Sequence, residues 1–343
     1  MRKNKDVCLE CNAAGNRQLY AEKRKKGFPL PVNPTIQFYL NQFQNQLSTT
    51  YDQLDPFELR RQEDAVMTRF QHKERVHNVE DRDILLPGRT IPIRIYQSSG
   101  APAPALVYYH GGGYVTGNIE THDAICRTLA NEAGCTVISV GYRLAPEHKF
   151  PIPVEDAYEA LVWIEGHASE LNIDASRIAV GGDSAGGTLA TVRALISIEL
   201  GGPRLVHQLL FYPVTGTEEN LPLSLIDYAT GYLLDEGLIR WFQRQYFNDD
   251  SELTHPYASP ILSDQLEKSP PMTLLTAEYD PLRDVGRAYA NKLVSLGVPV
   301  TYKNYGGLIH GFTNYYAFVP EAKRAVKEAA YSLKVAFEHQ KQL

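Results

Sequence analysis

The sequence predicts an α/β fold in which helices cover both faces of a mostly parallel central sheet. Three observations predict it. From about residue 105 onward, short apolar segments alternate with longer segments of helical periodicity. The apolar segments are continuous, as in strands that are buried on both faces. The 343 residues are 43% hydrophobic and 22% charged, which is ordinary for a globular protein and argues against a disordered or fibrous chain.

The composition and the net charge also argue against some classes of binding partner. With 34 Lys and Arg against 40 Asp and Glu, the net charge is −6, which argues against a dedicated nucleic-acid binder. The longest uncharged stretch, residues 95–119, contains prolines and five glycines, so we expect no stable membrane insertion. No apolar segment follows the basic amino terminus, so we expect no secretory signal and a cytoplasmic location. The sequence leaves a homo-oligomer open.

Residues 1–31 predict a flexible basic leader. They carry eight Lys or Arg and three Asp or Glu, and we interpret them as a solvated segment rather than a nucleic-acid patch. Cys8 and Cys11 have the spacing of half a zinc ribbon or of a redox pair. No second pair follows them, so free thiols are the preferred interpretation. The sequence therefore predicts no metal and no cofactor.

Residues 32–74 predict two helices that precede the first strand. The first begins near Pro34. The second begins at Asp55, which can cap it, while Pro56 suits the first helical position and Glu58 completes a capping box. The apolar side chains of these helices are Phe38, Tyr39, Phe43, Leu47, Leu59, Val66 and Phe70. Because the sheet has helices of its own on each face, we expect residues 32–74 to form a cap over the site.

Residues 75–343 predict the main domain, which begins with two antiparallel strands at 76–82 and 91–96. Further strands are predicted at 105–109, 137–140, 177–181, 208–212, 272–277 and 298–305. Helices are predicted at 121–133, 154–167, 184–199, 283–296 and 320–339. Residues 215–260 break the alternation. We expect them to complete the cap above the carboxyl ends of the strands, where ligands bind in such folds.

The sharpest motif is Gly-Asp-Ser-Ala-Gly at residues 182–186, between a buried strand and a helix. In that context it indicates a tight strand-to-helix turn that holds Ser184 in a strained conformation as a nucleophile. Backbone donors at the amino terminus of the helix favour negative charge beside it. The alternative is a glycine-rich turn in which Ser184 only caps the helix.

A second motif, His-Gly-Gly-Gly at residues 110–113, directly follows a predicted strand. Glycines allow a close backbone approach to a ligand and leave their amides uncovered. The spacing matches neither a P-loop nor a dinucleotide-binding fingerprint, which were the alternatives. We expect the amides of Gly112 and Gly113, together with that of Ala185, to form an oxyanion hole. His110 is expected to support the loop by hydrogen bonding.

A serine nucleophile needs a base, and the base needs an acid that orients it. In this kind of fold the acid and then the histidine follow the serine along the chain. His207, His255 and His310 lie between Ser184 and the last predicted helix. His310 follows the last predicted strand in a glycine-flanked loop at the carboxyl edge of the sheet. It is therefore the predicted base.

The acid is expected after another strand at the same edge. Asp280 follows the strand at 272–277, and Pro281 ends the turn after it. Asp284 lies in the next predicted helix, and Glu278 is placed less favourably if the strand continues. Asp280 is the predicted acid.

These motifs resemble those of the hormone-sensitive lipase family of carboxylesterases, which have the α/β-hydrolase fold. The likeness covers about residues 75–343 and includes the matching segments 142–148, 280–283 and 310–312. It implies the nucleophile, acid, base and oxyanion donors named above, and a cap built from the amino-terminal helices and residues 215–260. The chain has Val285 and Thr188 where the family often has Glu and Asn. Neither position belongs to the predicted triad.

The sequence therefore predicts a serine carboxylesterase that hydrolyses short-to-medium acyl esters through an acyl-enzyme. Its partner is a small-molecule ester, and the preference for such acyl chains is what the family resemblance implies. The alternative is a hydrolase fold used as a small-molecule receptor, as in plant relatives of this family. A receptor of that kind is expected to have lost the base, whereas His310 is present.

Two further predictions concern the surroundings of the site. Tyr114, just after the glycines, and Phe312, beside the base, are the aromatic residues expected to line the substrate pocket. Arg143, Glu147 and His148 are expected to form a buried polar network that braces the site.

Overall fold

An eight-stranded sheet forms the centre of the computed structural model, which describes residues 31–43, 51–69, 71–216 and 222–340. The strands are β1 (Asn78–Leu86), β2 (Arg89–Gln97), β3 (Ala103–Tyr109), β4 (Thr136–Val140), β5 (Ile173–Asp183), β6 (Leu205–Phe211), β7 (Met272–Tyr279) and β8 (Val300–Ile309). They lie in the order β1-β2-β4-β3-β5-β6-β7-β8. Strand β2 is antiparallel to β1 and β4, and all other neighbours are parallel. The mostly parallel sheet is confirmed.

Helices cover both faces of this sheet, as predicted. The described helices are α1 (Pro34–Phe43), α2 (Pro56–Arg69), α3 (Asp123–Ala133), α4 (Ile152–Gly166), α5 (Ala185–Leu200), α6 (Leu223–Asp227), α7 (Glu236–Tyr246), α8 (Arg283–Ser295) and α9 (Pro320–Gln340). Val107 of β3 enters the core shared with α4, α5 and α8, whereas its neighbour Leu106 enters the core shared with α3 and α9. Successive strand residues point to opposite faces, so β3 contributes to both cores.

Strands β1 and β8 both end four residues later than predicted. Strand β1 is Asn78–Leu86, later than the predicted 76–82, because its pairing with β2 continues to the turn at Pro87 and Gly88. Strand β8 continues to Ile309, although residues 306–309 were expected to be a loop. Glycine weakens a strand, so Gly306 and Gly307 suggested a loop. In the structure Ile309 pairs with Tyr279 of β7 after a register shift.

The amino-terminal helices bury different side chains from those expected. Ile36 and Leu40 of α1 enter the core shared with α9, whereas Phe38 is 59% exposed and Val66 of α2 is 49% exposed. The predicted apolar face is therefore wrong at Phe38 and Val66. Leu47, Phe70 and the side chain of Phe43 lie outside the described residues. None of the described helices is long and apolar enough to cross a membrane.

Helix α2 begins as predicted but without the full capping box. Asp55 Oδ1 accepts hydrogen bonds from the amides of Phe57 at 2.8 Å and of Glu58 at 2.9 Å, which satisfies two of the free donors at the helix start. The Glu58 carboxylate instead accepts hydrogen bonds from Arg61 and Gln62 one turn further along. Arg61 is charged and lies on the same helix, so it binds the Glu58 carboxylate more strongly than the backbone amide of Asp55 does.

Candidate active site

Ser184 occupies the tight turn between β5 and α5. Its φ of +51° and ψ of −123° form a conformation that residues other than glycine rarely adopt. Its amide donates a hydrogen bond at 2.9 Å to the carbonyl of Phe211 at the end of β6. The turn closes because residue 186 is glycine, since a Cβ atom there would overlap the backbone carbonyls of Tyr109 and His110. The strained geometry is thus held in place by the two neighbouring strands.

The structure brings Ser184, His310 and Asp280 into one chain of contacts. His310 directly follows β8, and its Nε2 lies 2.9 Å from Ser184 Oγ. Asp280 directly follows β7, and its Oδ2 lies 2.9 Å from His310 Nδ1. His207 and His255, the other histidines considered, make their contacts elsewhere.

Asp280 is fully buried, and its second oxygen accepts a hydrogen bond at 2.7 Å from the amide of Leu282. The alternative carboxylates are engaged by Arg283, at 2.9 Å from Asp284 and 2.9 Å from Glu278. Burial alone would raise the pKa of Asp284, but Arg283 lowers it below its ordinary value. Both alternatives are therefore parts of an ion-pair cluster, and neither contacts His310.

The glycine loop after β3 leaves several amides free. Gly112 and Gly113 have φ values of +114° and +59°, which favour glycine. The carbonyl of Gly112 accepts hydrogen bonds from the amides of Val115 at 3.0 Å and Thr116 at 2.9 Å, which closes a turn. The amides of Gly112, Gly113 and Ala185 donate to no acceptor among the residues that the structure describes. These are the amides that an oxyanion hole requires.

Asp183 connects the glycine loop to the turn that carries Ser184. Its Oδ1 accepts hydrogen bonds from the amide of Gly111 at 3.1 Å and from the hydroxyl of Tyr108 at 2.8 Å. His122 Nε2 lies 3.3 Å from the same carboxylate. Burial alone would lower the pKa of His122, but Asp183 raises it above its ordinary value. Burial alone would likewise raise the pKa of Asp183, but His122 lowers it. Both directions indicate a buried ion pair.

His110 lies where a supporting residue was expected. Its Nδ1 donates a hydrogen bond at 2.8 Å to the carbonyl of Gly111, and its ring stacks on Tyr142 with centroids 4.3 Å apart. The hydroxyl of Tyr142 donates at 2.7 Å to the carbonyl of His110. Burial lowers the pKa of His110 to about 3. The ring is therefore neutral near pH 7 and braces the loop rather than carrying charge.

A cavity of about 1120 Å³ opens onto Ser184 and His310. Helices α2 and α7 and the segment after β8 form much of its wall. Apolar side chains of this wall include Leu54, Leu59, Leu238, Phe242 and Phe318. Among the described residues, no group of three or more His, Cys, Asp or Glu is placed to hold a metal ion.

The two predicted pocket aromatics have different positions. Tyr114 lies in the cavity wall and stacks on Tyr246 of α7 with centroids 3.8 Å apart. Phe312 is absent from the wall, since it is fully buried and packs edge-on against Tyr212 at 4.9 Å. The prediction for Phe312 is wrong because the short 3-10 helix Phe312–Tyr315 turns its first side chain into the core shared with α9.

Comparison with known proteins shows to which family the chain belongs. A family model of the α/β-hydrolase fold matches residues 106–314. The chain is 42% identical over 261 residues to esterase LipI of Mycobacterium tuberculosis, which covers 74% of this chain and 81% of LipI. It is 42% identical to an ethyl acetate hydrolase of Pseudomonas putida, over 68% of this chain and 75% of that one. A solved hyperthermophilic esterase from Pyrobaculum calidifontis superposes with a TM-score of 0.84 at 42% identity, covering 89% of this chain and 99% of that chain.

The chain belongs to the hormone-sensitive lipase family of carboxylesterases. It is therefore a carboxylic ester hydrolase with the α/β-hydrolase fold, and the predicted fold class and enzyme class are confirmed.

The charged residues at 143–148 of this carboxylesterase do not form the predicted network with one another. Arg143 pairs with the buried Asp156 of α4 at 2.8 Å. Glu147 pairs with Arg60 of α2 at 2.8 Å. The side chain of His148 belongs to neither pair. Because the chain turns between residues 143 and 147, each charged side chain meets a different helix, and the prediction of one network is wrong.

Sequence reasoning assigned no role to Asp183 or His122 in this carboxylesterase. A signal was present, because Asp183 is a charged residue directly after the uncharged, buried part of its strand at residues 178–182, and a buried charge requires a partner. The partners, Tyr108, Gly111 and His122, come from three segments far away along the chain. Their convergence depends on strand order, which the sequence does not determine.

Proposed function

We propose that this carboxylesterase hydrolyses esters by a Ser-His-Asp triad, with Ser184 as nucleophile, His310 as base and Asp280 as the acid that orients His310. The observation that carries the proposal is the unbroken chain of contacts, 2.9 Å from Ser184 Oγ to His310 Nε2 and 2.9 Å from His310 Nδ1 to Asp280 Oδ2. These distances lie within hydrogen-bond reach for proton transfer. The buried carboxylate favours the imidazole tautomer whose Nε2 accepts a proton.

The reaction follows from these positions. His310 takes the proton of the Ser184 hydroxyl as Oγ attacks the ester carbonyl. The amides of Gly112, Gly113 and Ala185 stabilise the negative charge that develops on the carbonyl oxygen. His310 then protonates the departing alcohol, which leaves an acyl-enzyme. A water molecule, activated by the same imidazole, releases the acid and restores the hydroxyl.

The proposed substrates are esters with short-to-medium acyl chains. The cavity has a largely apolar wall, and its volume lies just above the usual range for small-molecule sites, about 300–1,000 Å³. A relative named for hydrolysis of ethyl acetate supports small esters. Tyr114 and Tyr246, stacked at the wall, are proposed to contact the substrate.

The test combines a substrate series with active-site labelling. We expect kcat/KM for 4-nitrophenyl esters to be highest at short-to-medium acyl length and to fall for long chains. Treatment with a phosphonate ester is expected to add one group to Ser184, identified by peptide mass spectrometry. Ser184→Ala is expected to lose several orders of magnitude in kcat while keeping its circular dichroism spectrum and melting temperature. An adduct on another serine, or near-normal turnover in the variant, would contradict the proposal.

If the protein were a small-molecule receptor instead, we would expect the catalytic base to be lost. His310 is present and contacts Ser184, so no observation favours the receptor. The cytoplasmic location, the homo-oligomer and the lack of a nucleic-acid partner stay predictions.

A further inference from the structure

The cavity wall contains a carboxylate that the proposed reaction does not use. Glu63 lies on α2 and lines the cavity. It forms no ion pair with any residue that the structure describes, since Arg61 pairs with Glu58 at 2.7 Å and Arg60 pairs with Glu147 at 2.8 Å. Burial raises the pKa of Glu63. A desolvated carboxylate without a cation is unfavourable, so this position suits a ligand that brings positive charge.

Glu63 also lies close to the reacting centre. The Thr116 hydroxyl beside it offsets part of the rise in its pKa. The Thr116 amide donates at 2.9 Å to the carbonyl of Gly112 in the glycine loop. His122, whose charge acts on Glu63, is already bound by Asp183 at 3.3 Å. A cation at Glu63 would therefore lie in the same cavity as an ester held at the loop.

Three aromatic rings cluster in the same part of the cavity wall. The ring centroids of Tyr39, Tyr315 and Phe318 lie 5.7 to 6.2 Å from one another. Burial raises the pKa of Tyr315 to about 12, and the Glu63 carboxylate adds to that rise, so the two groups lie within electrostatic reach. Aromatic rings attract ammonium groups through their quadrupoles.

Gln71 adds an unused acceptor to this wall. Its Nε2 donates to the carbonyls of Glu120 at 2.9 Å and Thr121 at 2.7 Å. Its buried Oε1 has no hydrogen-bond donor among the described residues. Gln71 thus adds an acceptor without a donor to a wall that already contains the Glu63 carboxylate, which is the reverse of what an anionic ligand needs.

We propose that Glu63 selects esters that carry a protonated amine, which binds the carboxylate beside the cluster of Tyr39, Tyr315 and Phe318. The proposal rests on ester hydrolysis at Ser184 as proposed above. An ammonium group supplies both positive charge and N–H donors, whereas a neutral alkyl group of the same shape leaves the carboxylate unpaired. Glu63 thus acts as a specificity determinant and takes no part in bond making.

The test compares two pairs of esters that differ only in charge. The first pair is 2-(dimethylamino)ethyl butanoate, protonated at neutral pH, and neutral 3-methylbutyl butanoate. The second places the amine on the acyl side, as ethyl 4-(dimethylamino)butanoate against ethyl 5-methylhexanoate. A pH-stat measures kcat/KM for each ester with the wild type, with Glu63→Gln and with Glu58→Gln. The control Glu58→Gln removes a carboxylate of the same helix that does not line the cavity and that is bound to Arg61.

For at least one pair, we expect Glu63→Gln to lower the ratio of cationic to neutral kcat/KM by about tenfold, the loss expected for one charge-assisted contact. Using the ratio cancels the intrinsic reactivity difference between the esters. Glu58→Gln should leave the ratio as in the wild type. An unchanged ratio for both pairs in Glu63→Gln overturns the proposal, and so does an equal loss on both members, since Glu63 would then only support Thr116. If the wild type hydrolyses neither these esters nor 4-nitrophenyl esters, ester hydrolysis at Ser184 fails, whereas turnover of 4-nitrophenyl esters alone overturns the selection of amine esters.

Discussion

The carboxylate of Asp183 accepts a hydrogen bond at 3.1 Å from the amide of Gly111, and so ties the residue before the predicted nucleophile to the glycine loop. Gly111 directly precedes Gly112, the first of the predicted oxyanion donors. A shift of the loop would change the distance between the donors and the carbonyl oxygen on Ser184. Since electrostatic stabilisation depends on preorganised donors, this link bears on catalysis as well as on stability.

Removing the link should lower turnover more than binding. Asp183→Ala is expected to reduce kcat by about 10²-fold with a smaller change in KM, because a displacement of about 1 Å at the reacting atoms has that effect. Asp183→Asn keeps an oxygen that can accept from Gly111 and Tyr108, and should recover much of the loss. Steady-state kinetics on one 4-nitrophenyl ester gives the comparison. Equal losses in both variants, or a loss confined to KM, would contradict a positioning role.

The ion pair of Asp183 with His122 predicts a dependence of stability on pH. The pKa of His122 is raised above its ordinary 6.5, so its contribution to stability is full below pH 6.5 and disappears as the pH rises through the folded value. The pKa of Asp183 is lowered, so its contribution is full above pH 3.8 and disappears as the pH falls through its folded value. We expect the difference in unfolding free energy between the wild type and His122→Gln to be largest between these limits. Urea unfolding from pH 4 to pH 9 measures it.

The variant His110→Gln provides a control, because its difference in stability from the wild type should change with pH in the opposite direction. Its pKa is lowered from 6.5 to about 3 by burial, so below pH 6.5 the unfolded chain takes up a proton that the folded protein rejects. The wild type should therefore lose stability relative to His110→Gln as the pH falls. A His122→Gln difference that does not change with pH would show that His122 is neutral and that the ion pair is absent.

The two neighbouring carboxylates after β7 should differ sharply in function. Asp280→Asn is expected to lower kcat by about 10⁴-fold while the protein stays folded, because the tautomer of His310 is no longer fixed. Asp284→Asn removes a charge from the cluster around Arg283 and should affect melting temperature more than kcat. Turnover and thermal melting of both variants decide the assignment. A larger loss of kcat in Asp284→Asn would show that the acid was assigned to the wrong residue.

The convergence of Ser184, Asp280 and His310 was predictable because each comes after a predicted strand of the parallel part of the sheet. Parallel strands that end at one edge bring the residues after them together, whatever the loops between them do. Chain order then restricted the choice of base and acid. These arguments need only the direction of the strands and their approximate ends, which the hydrophobic pattern gives to within a few residues.

The errors concern the directions of side chains outside the regular strands. Phe312 was expected at the pocket because it lies beside the base, but the 3-10 turn directs it into the core. Phe38 was expected in an apolar face, yet Ile36 and Leu40 are the residues of α1 that the core accepts. Helical periodicity gives the spacing of a face but not which side of the helix meets the sheet. That choice depends on tertiary contacts such as the 2.8 Å bond from Asn33 to Glu321 of α9.

The cap prediction depends on how α2 is attached, and one residue makes most of the described contacts. Arg60 donates to the carbonyls of Val115 at 2.9 Å and Ala145 at 3.1 Å, and pairs with Glu147 at 2.8 Å. The helix buries no side chain fully and packs Leu59 only partly against the core, so these polar contacts contribute much of what holds it beside the glycine loop. Bidentate and multiple contacts of arginine are geometrically specific, which a glutamine cannot reproduce.

We therefore expect Arg60→Gln to loosen α2 and to change the dependence of kcat/KM on acyl length, with a loss of about 1–3 kcal/mol in stability from the unpaired groups. Arg61→Gln is the matched control, because Arg61 is 72% exposed and its one ion pair within the described part of the chain is with Glu58 on the same helix, a contact that stabilises little. Chemical unfolding and a series of 4-nitrophenyl esters measure both effects. If Arg60→Gln keeps the acyl-length profile of the wild type, α2 does not shape the substrate cavity, and the cap over this site must be sought in α7.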